Sequence, residues 1–291
     1  MNSPHARRVV RPTRPGTLDE VALQELTEDL EDSVNGLGQS PVINFRLALG
    51  EALTLVQARA ALDPDASELE TWEAVVSAMQ VGSAAFAAAQ STDGFIECRV
   101  MDEIRTIPAT GPQPYTHAGN WLTTLWFVII CREQGRMDAM CRVPIDVLRT
   151  PSVCGDEYVY HWIDTLQTYW LERPGLFEKL HAAIEASHPE VATVAPRDLL
   201  QNILYQPIHL FTYFLRKDRE GFNTALAEAL ESHKAYWTAT DERAHDFSGT
   251  IALGPLAVAC LAYDAGFPID VESEYLPKAL LERAWLGEFP T

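Results

Sequence analysis

The sequence predicts a mainly α protein built of packed helical hairpins, with one small β-hairpin near 95–107. Three observations predict it. Apolar residues recur at three- and four-residue steps through most of the chain, and capping residues, proline or glycine punctuate the runs. Pairs of such runs are joined by short charged connectors at nearly regular intervals. One segment reads instead as two short strands around a turn.

Residues 1–16 carry Arg7, Arg8, Arg11 and Arg14 among prolines and are expected to form a disordered basic tail. Residues 17–291 are expected to form a single helical domain, with a sub-boundary near 108–116. A first helix begins at about Thr17, with Leu18, Val21, Leu26, Leu30 and Val34 at helical spacing and Asp19-Glu20 favouring its start. Gly36 and Gly38 end it. Pro41 suits the first position of a second helix running to about Leu62, where Asp63-Pro64-Asp65 breaks the chain. Ser67 is the expected cap of a third helix through Trp72, Val75, Val76, Met79 and Phe86.

Phe95 to Val100 and Ile104 to Ile107 flank Met101-Asp102-Glu103 and predict the β-hairpin. From Asn120 onward an apolar helix, a connector and a second helix recur. The connectors are 131–135, 171–175 and 215–221, and Met137, Phe177 and Phe222 open the second helices at repeat-like spacing. The run 255–265 is apolar almost all round and closed by Gly266, which predicts a buried helix.

Charge bounds the function. The net charge is −19, and residues 17–98 hold 15 acids against Arg46 and Arg59 alone. Such a field repels nucleic acid and membrane surfaces and attracts basic partners. Arg7-Arg8 is not followed by an apolar run, so no leader is expected, and the apolar stretch 121–131 is too short to span a bilayer. Cys98, Cys131, Cys141, Cys154 and Cys260 are scattered without a C-x-x-C pair, which fits reduced thiols and a cytoplasmic location.

Phosphate-loop and nucleophile-elbow motifs are absent, and Gly36-x-Gly38 lacks the third glycine of a dinucleotide fingerprint. No cofactor is expected. His181, Glu185 and His188 share a helical stripe at metal-ligand spacing, against a plainer reading as a solvated face and a helix end. His245-Asp246, with His209 and Asp264, matches the ligand types of helical metal-dependent phosphohydrolases, although the doublet sits in a loop-like stretch. On the segment 156–170, Val159, Ile163, Leu166 and Trp170 form the core stripe and leave Asp156, Tyr160, Asp164 and Gln167 in a row on another face. That row is a candidate recognition surface, and Asp19, Glu20, Glu28, Asp29 and Asp32 on the first helix are a second. Glu157 and His161 read as a local polar pair. Trp121, Trp126, Trp162, Trp170, Trp237 and Trp285 lie mostly on apolar helix faces and read as core rather than as base-stacking platforms.

The segment DEYVYHWIDTLQTYW at 156–170 resembles a known family. The likeness continues through LRKDREGFN at 215–223, ESHKAYW at 231–237, ALGPLAVACLAYDAGFP at 252–268 and ESEYLPK at 272–278, with PATGP at 108–112 and YTHAGNW at 115–121 upstream. Together these resemble the immunity 49 family of bacterial polymorphic-toxin systems, from Pro108 to the C-terminus. The resemblance implies a non-catalytic antidote that binds and blocks a cognate toxin domain, with a basic toxin favoured by the charge. Two rival readings remain: a metal-dependent phosphohydrolase, and a helical-repeat scaffold for another partner.

Overall fold

The computed structural model describes residues 7–12, 18–150, 153 and 155–287. Three helices open the body. In α1 (Glu20–Asn35) the Asp19 carboxylate accepts the Ala22 N–H at 3.0 Å and caps the first turn. Leu23, Leu30 and Val34 are buried, whereas Val21 is 66% exposed. The stripe runs 23, 26, 30, 34, and Val21 lies about half a turn away from it on the outer face. Helix α2 (Pro41–Leu62) has the predicted bounds, with proline in its first turn.

Helix α3 (Leu69–Ala89) corrects the expected cap, because Ser67 serves Asp63 instead. The buried Asp63 carboxylate accepts from the Ser67 N–H and hydroxyl, the Glu68 N–H at 2.9 Å and the Thr71 hydroxyl at 2.8 Å. Burial by itself would raise the Asp63 pKa, but these hydrogen bonds outweigh it and hold the carboxyl below the usual range. Helix α3 is alanine-rich and buried almost throughout. At its crossing a Cβ on Gly82 would run into the Thr124 side chain.

The hairpin of β2 (Phe95–Val100) and β3 (Glu103–Pro108) forms as predicted, antiparallel, with Ile96 opposite Ile107 and Val100 opposite Glu103. A two-residue strand, β1 (Arg7–Arg8), lies earlier in the chain. The Arg105 guanidinium donates to Asn35 Oδ1 at 3.1 Å, tying the hairpin to the end of α1.

Three helical hairpins follow: α4 (Ala118–Cys131) with α5 (Gln134–Cys141); then, after the short α6 (Ile145–Leu148), α7 (Glu157–Trp170) with α8 (Leu176–Ala186); and, after α9 (Arg197–Leu199) and a π-helical turn at Leu200–Leu204, α10 (Gln206–Leu215) with α11 (Arg219–Trp237). The three connectors share one geometry. Arg132, Glu172 and Lys217 are left-handed, at φ 56°, 51° and 55°. Their N–H groups bond the carbonyls of Ile129, Tyr169 and Phe214, and the next residue's N–H reaches Val128, Thr168 and Tyr213. This is the Schellman cap repeated three times, each with a non-glycine residue at the left-handed position. The connector glycines sit elsewhere: Gly175 precedes α8, while Gly135 and Gly221 lie inside α5 and α11. The repeat does not extend to the opening residues, since Met137 and Phe222 are buried and Phe177 is exposed.

After α12 (Asp241–His245), helix α13 (Leu253–Asp264) is buried and closed by Gly266 at φ 80°, as predicted. The apolar window Phe247–Asp264 is long enough to cross a membrane by composition, but it divides into a 3₁₀ turn, a link and α13, and is 61% buried within the protein. The chain then reaches β4 (Val271–Glu272) and α14 (Lys278–Leu281). One hydrophobic cluster runs from Val9 to Leu281, across both sides of 108–116.

The tail is corrected over residues 7–12; residues 1–6 and 13–16 lie outside the described residues. Arg7 and Arg8 pair in parallel with Val271 and Glu272, and Val9 is buried. The Arg11 guanidinium donates to the Ala60, Ala61 and Thr250 carbonyls, and the Arg11 N–H donates to Glu274 Oε2 at 3.1 Å. Arg11 thereby satisfies carbonyls in the last turn of α2, which a charge count cannot foresee.

Candidate functional site

Three residues of the predicted row on α7 are buried, and the fourth, Asp164, is half-buried. Asp156 is buried, and its carboxylate accepts the N–H groups of Thr193, Val194 and Ala195 at 2.7, 2.9 and 2.9 Å. Gln167 is buried and donates to the Val143 carbonyl at 2.8 Å. Tyr160 is buried beneath the Arg149 guanidinium, 3.8 Å from its ring centre. Asp164 accepts from Lys179 of α8 at 2.7 Å. These four groups bind neighbouring segments of their own chain, so they are not an open recognition surface. Glu157 pairs with Arg149 through two contacts of 2.8 and 2.7 Å rather than with His161.

The second predicted face stays open. Helix α1 holds six acids and no base. Asp19, Glu20, Glu28, Asp29 and Asp32 are all exposed, and Glu20 alone of them approaches a cation, Arg59 at 3.9 Å. Glu31 of α1 also lines an adjoining cleft of about 360 Å³ with Glu70, Glu73 and Asp102, opposite Arg59 and Arg99. Burial, then repulsion from Asp102 and Glu70, raises the Glu73 pKa. This surface therefore carries uncompensated negative charge.

The alternative metal ligands are not brought together. Asp264 is held by Arg132 at 3.1 Å and Arg283 at 3.3 Å. His209 lies between the rings of Tyr205 and Tyr213, and its burial lowers its pKa. His245 Nδ1 lies 2.6 Å from the Asp241 carbonyl, and Asp246 caps the 3₁₀ turn through the Ser248 N–H. His181 and Glu185 are exposed 3.8 Å apart, while His188 Nδ1 accepts the Glu190 N–H. Among the described residues no group of three or more His, Cys, Asp or Glu side chains is placed to hold a metal ion.

Sequence reasoning missed a cavity of about 650 Å³, where α2, α4, α7, α11, the start of α13 and the π-helical turn meet. Trp126, Trp162 and Trp237 line it, together with Pro207, Leu253 and His117. The His117 Nδ1 accepts the Gly119 and Asn120 N–H groups and caps α4, and burial lowers its pKa. Asp156 and Tyr160 reach the edge of this cavity, whereas Asp164 and Gln167 line a separate surface cleft. The only sequence signal was the tryptophans themselves, which also suit a filled core.

The comparisons bear on this geometry through one family. No curated protein and no solved structure matches the chain. The model of the family described as immunity protein 49 matches residues 63–280, most of the chain. The match takes in α3 and the β-hairpin, upstream of the segments that carry the sequence likeness, and leaves α1 and all of α2 outside it. On the extent of that match, the chain belongs to the immunity protein 49 family.

Proposed function

We propose that the protein is an antidote in the cytoplasm, which binds a cognate toxin domain and neutralises it by stoichiometric, non-catalytic occlusion. The family supports a protein toxin as the partner. The observation that carries the reading of the partner's chemistry is the exposed acidic surface of α1 and its adjoining cleft, where Glu25, Glu28, Asp29, Glu31 and Asp32 have no ion-pair partner among the described residues. Unpaired carboxylates on one face steer a basic protein toward that face and set its encounter rate. Since α1 lies outside the family match, the acidic face would serve recognition of this chain's own toxin.

The test is co-expression with the C-terminal domain of the nearest encoded toxin, scoring survival and 1:1 co-purification. Rescue with a stable complex supports the reading; toxicity without rescue or complex, from a well-expressed pair, overturns it for that toxin. The triple variant Glu28→Lys, Asp29→Lys, Asp32→Lys is expected to slow association by about tenfold or more at low salt, with little change in dissociation. An unchanged association rate and salt slope would remove α1 from the interface.

A further inference from the structure

The 650 Å³ cavity falls in the ~300–1,000 Å³ range of small-molecule sites. Its chemistry is specific. Among the described residues no Lys or Arg lines it, and the one carboxylate that does, Asp156, already accepts three backbone N–H groups. A charged ligand would therefore lose its hydration without gaining a counter-ion. The wall is mainly apolar, and its uncommitted polar groups include hydrogen-bond donors.

Trp126 is 7% exposed, and its indole nitrogen has no hydrogen-bond partner among the described residues. The Trp237 indole nitrogen also lacks one, but it has almost no accessible surface and so does not face the open space. Because His117 Nδ1 accepts two backbone N–H groups, its ring proton lies on Nε2, and its lowered pKa favours that neutral form near pH 7. Gly254 keeps the wall open beside Trp126: a Cβ there would lie 3.6 Å from the indole nitrogen and 2.6 Å from Pro207 Cγ. The Trp126 N–H keeps accessible surface, so an acceptor atom entering the cavity would take its hydrogen bond in place of water.

We propose that this cavity binds a neutral, apolar small molecule bearing a hydrogen-bond-accepting carbonyl, held by the Trp126 indole. The site is independent of toxin neutralisation, because a ligand here requires neither the acidic face nor a partner protein.

Benzophenone is a suitable probe, having two apolar rings, one carbonyl and photochemical reactivity toward nearby C–H bonds. The full chain is titrated with it, followed by tryptophan fluorescence and calorimetry, then irradiated, and the labelled peptides are identified by mass spectrometry. Saturable 1:1 binding is expected, with label confined to the cavity-lining segments 53–57, 117–126, 153–162, 194–195, 202–207, 229–237 and 248–255. Trp126→Phe should weaken binding about three- to tenfold, the worth of one neutral hydrogen bond. Thr123→Trp, or Leu122→Trp if that variant does not fold, should fill the cavity and abolish saturation. Absent saturation, scattered labelling, or wild-type binding by a folded filled variant would overturn the proposal. Displacement of benzophenone by the cognate toxin domain would also overturn it, making a toxin side chain the occupant.

Discussion

Arg132 and Asp264 tie the end of the first helical hairpin to the end of α13, with Nε 3.1 Å from Oδ2 and the arginine side chain only 9% exposed. The same guanidinium donates to the carbonyls of Ile130, Leu280 and Leu281, so one side chain closes α4, α13 and α14 together. Arg132→Ala should destabilise the fold by about 3 kcal/mol, since it removes the donor to three carbonyls and leaves Asp264 with Arg283 alone. Arg132→Lys should recover less than half of that, because an ammonium lacks the planar fork. Urea unfolding of both variants checks the order; equal stability of wild type and Arg132→Ala would contradict it.

Asp156 is predicted to matter for stability and not for toxin contact. Asp156→Ala leaves the N–H groups of residues 193–195 unpaired and should cost about 2–4 kcal/mol. Asp156→Asn keeps one acceptor and should cost about half as much. Affinity for the toxin, measured below the unfolding transition, should be unchanged. A large loss of affinity in a stable Asp156→Asn protein would restore α7 as a binding face.

Asp63 links stability to pH. Its folded pKa lies below the unfolded value of 3.8, so its contribution is whole at neutral pH and is lost as pH falls through 3.8 toward the folded value. Asp63→Asn should therefore be less stable than wild type at pH 7, by about 1–2 kcal/mol for the cap, and the gap should close on acidification. Denaturant curves from pH 7 to pH 3 would show it; a gap that stays constant with pH would not fit.

Arg11→Ala removes donors to three carbonyls that no nearby side chain replaces. A loss of about 2 kcal/mol is expected, seen as a fall in melting temperature of several degrees. Removal of residues 1–12 should cost more, because Val9 leaves the core as well. If neither change moves the melting temperature, the segment is not anchored in solution.

Much of the architecture was readable before any coordinates. Pro41 and the Asp63-Pro64 break bound α2, and Gly266 marks the end of α13, because these residues act through local backbone restriction. The three connectors were visible as breaks in apolar periodicity. That Arg132, Glu172 and Lys217 take the left-handed position was not, since glycine lies within reach in each connector and the choice depends on packing around the cap. The α7 row shows the same limit. Periodicity identifies a polar face, but whether water, another segment or a partner satisfies it is decided by chain far away in sequence.

The sequence by itself determined the helical class, the order of elements, the site of the β-hairpin and the acidity of α1, all set by patterns spanning a few turns. Only the tertiary structure decided that Asp156 and Gln167 bind their own chain, that Arg11 caps α2, and that three tryptophans surround a cavity. These outcomes depend on contacts between segments tens to hundreds of residues apart. Local propensity carries no information about such distances, because they are fixed by how the apolar faces of whole helices pack together.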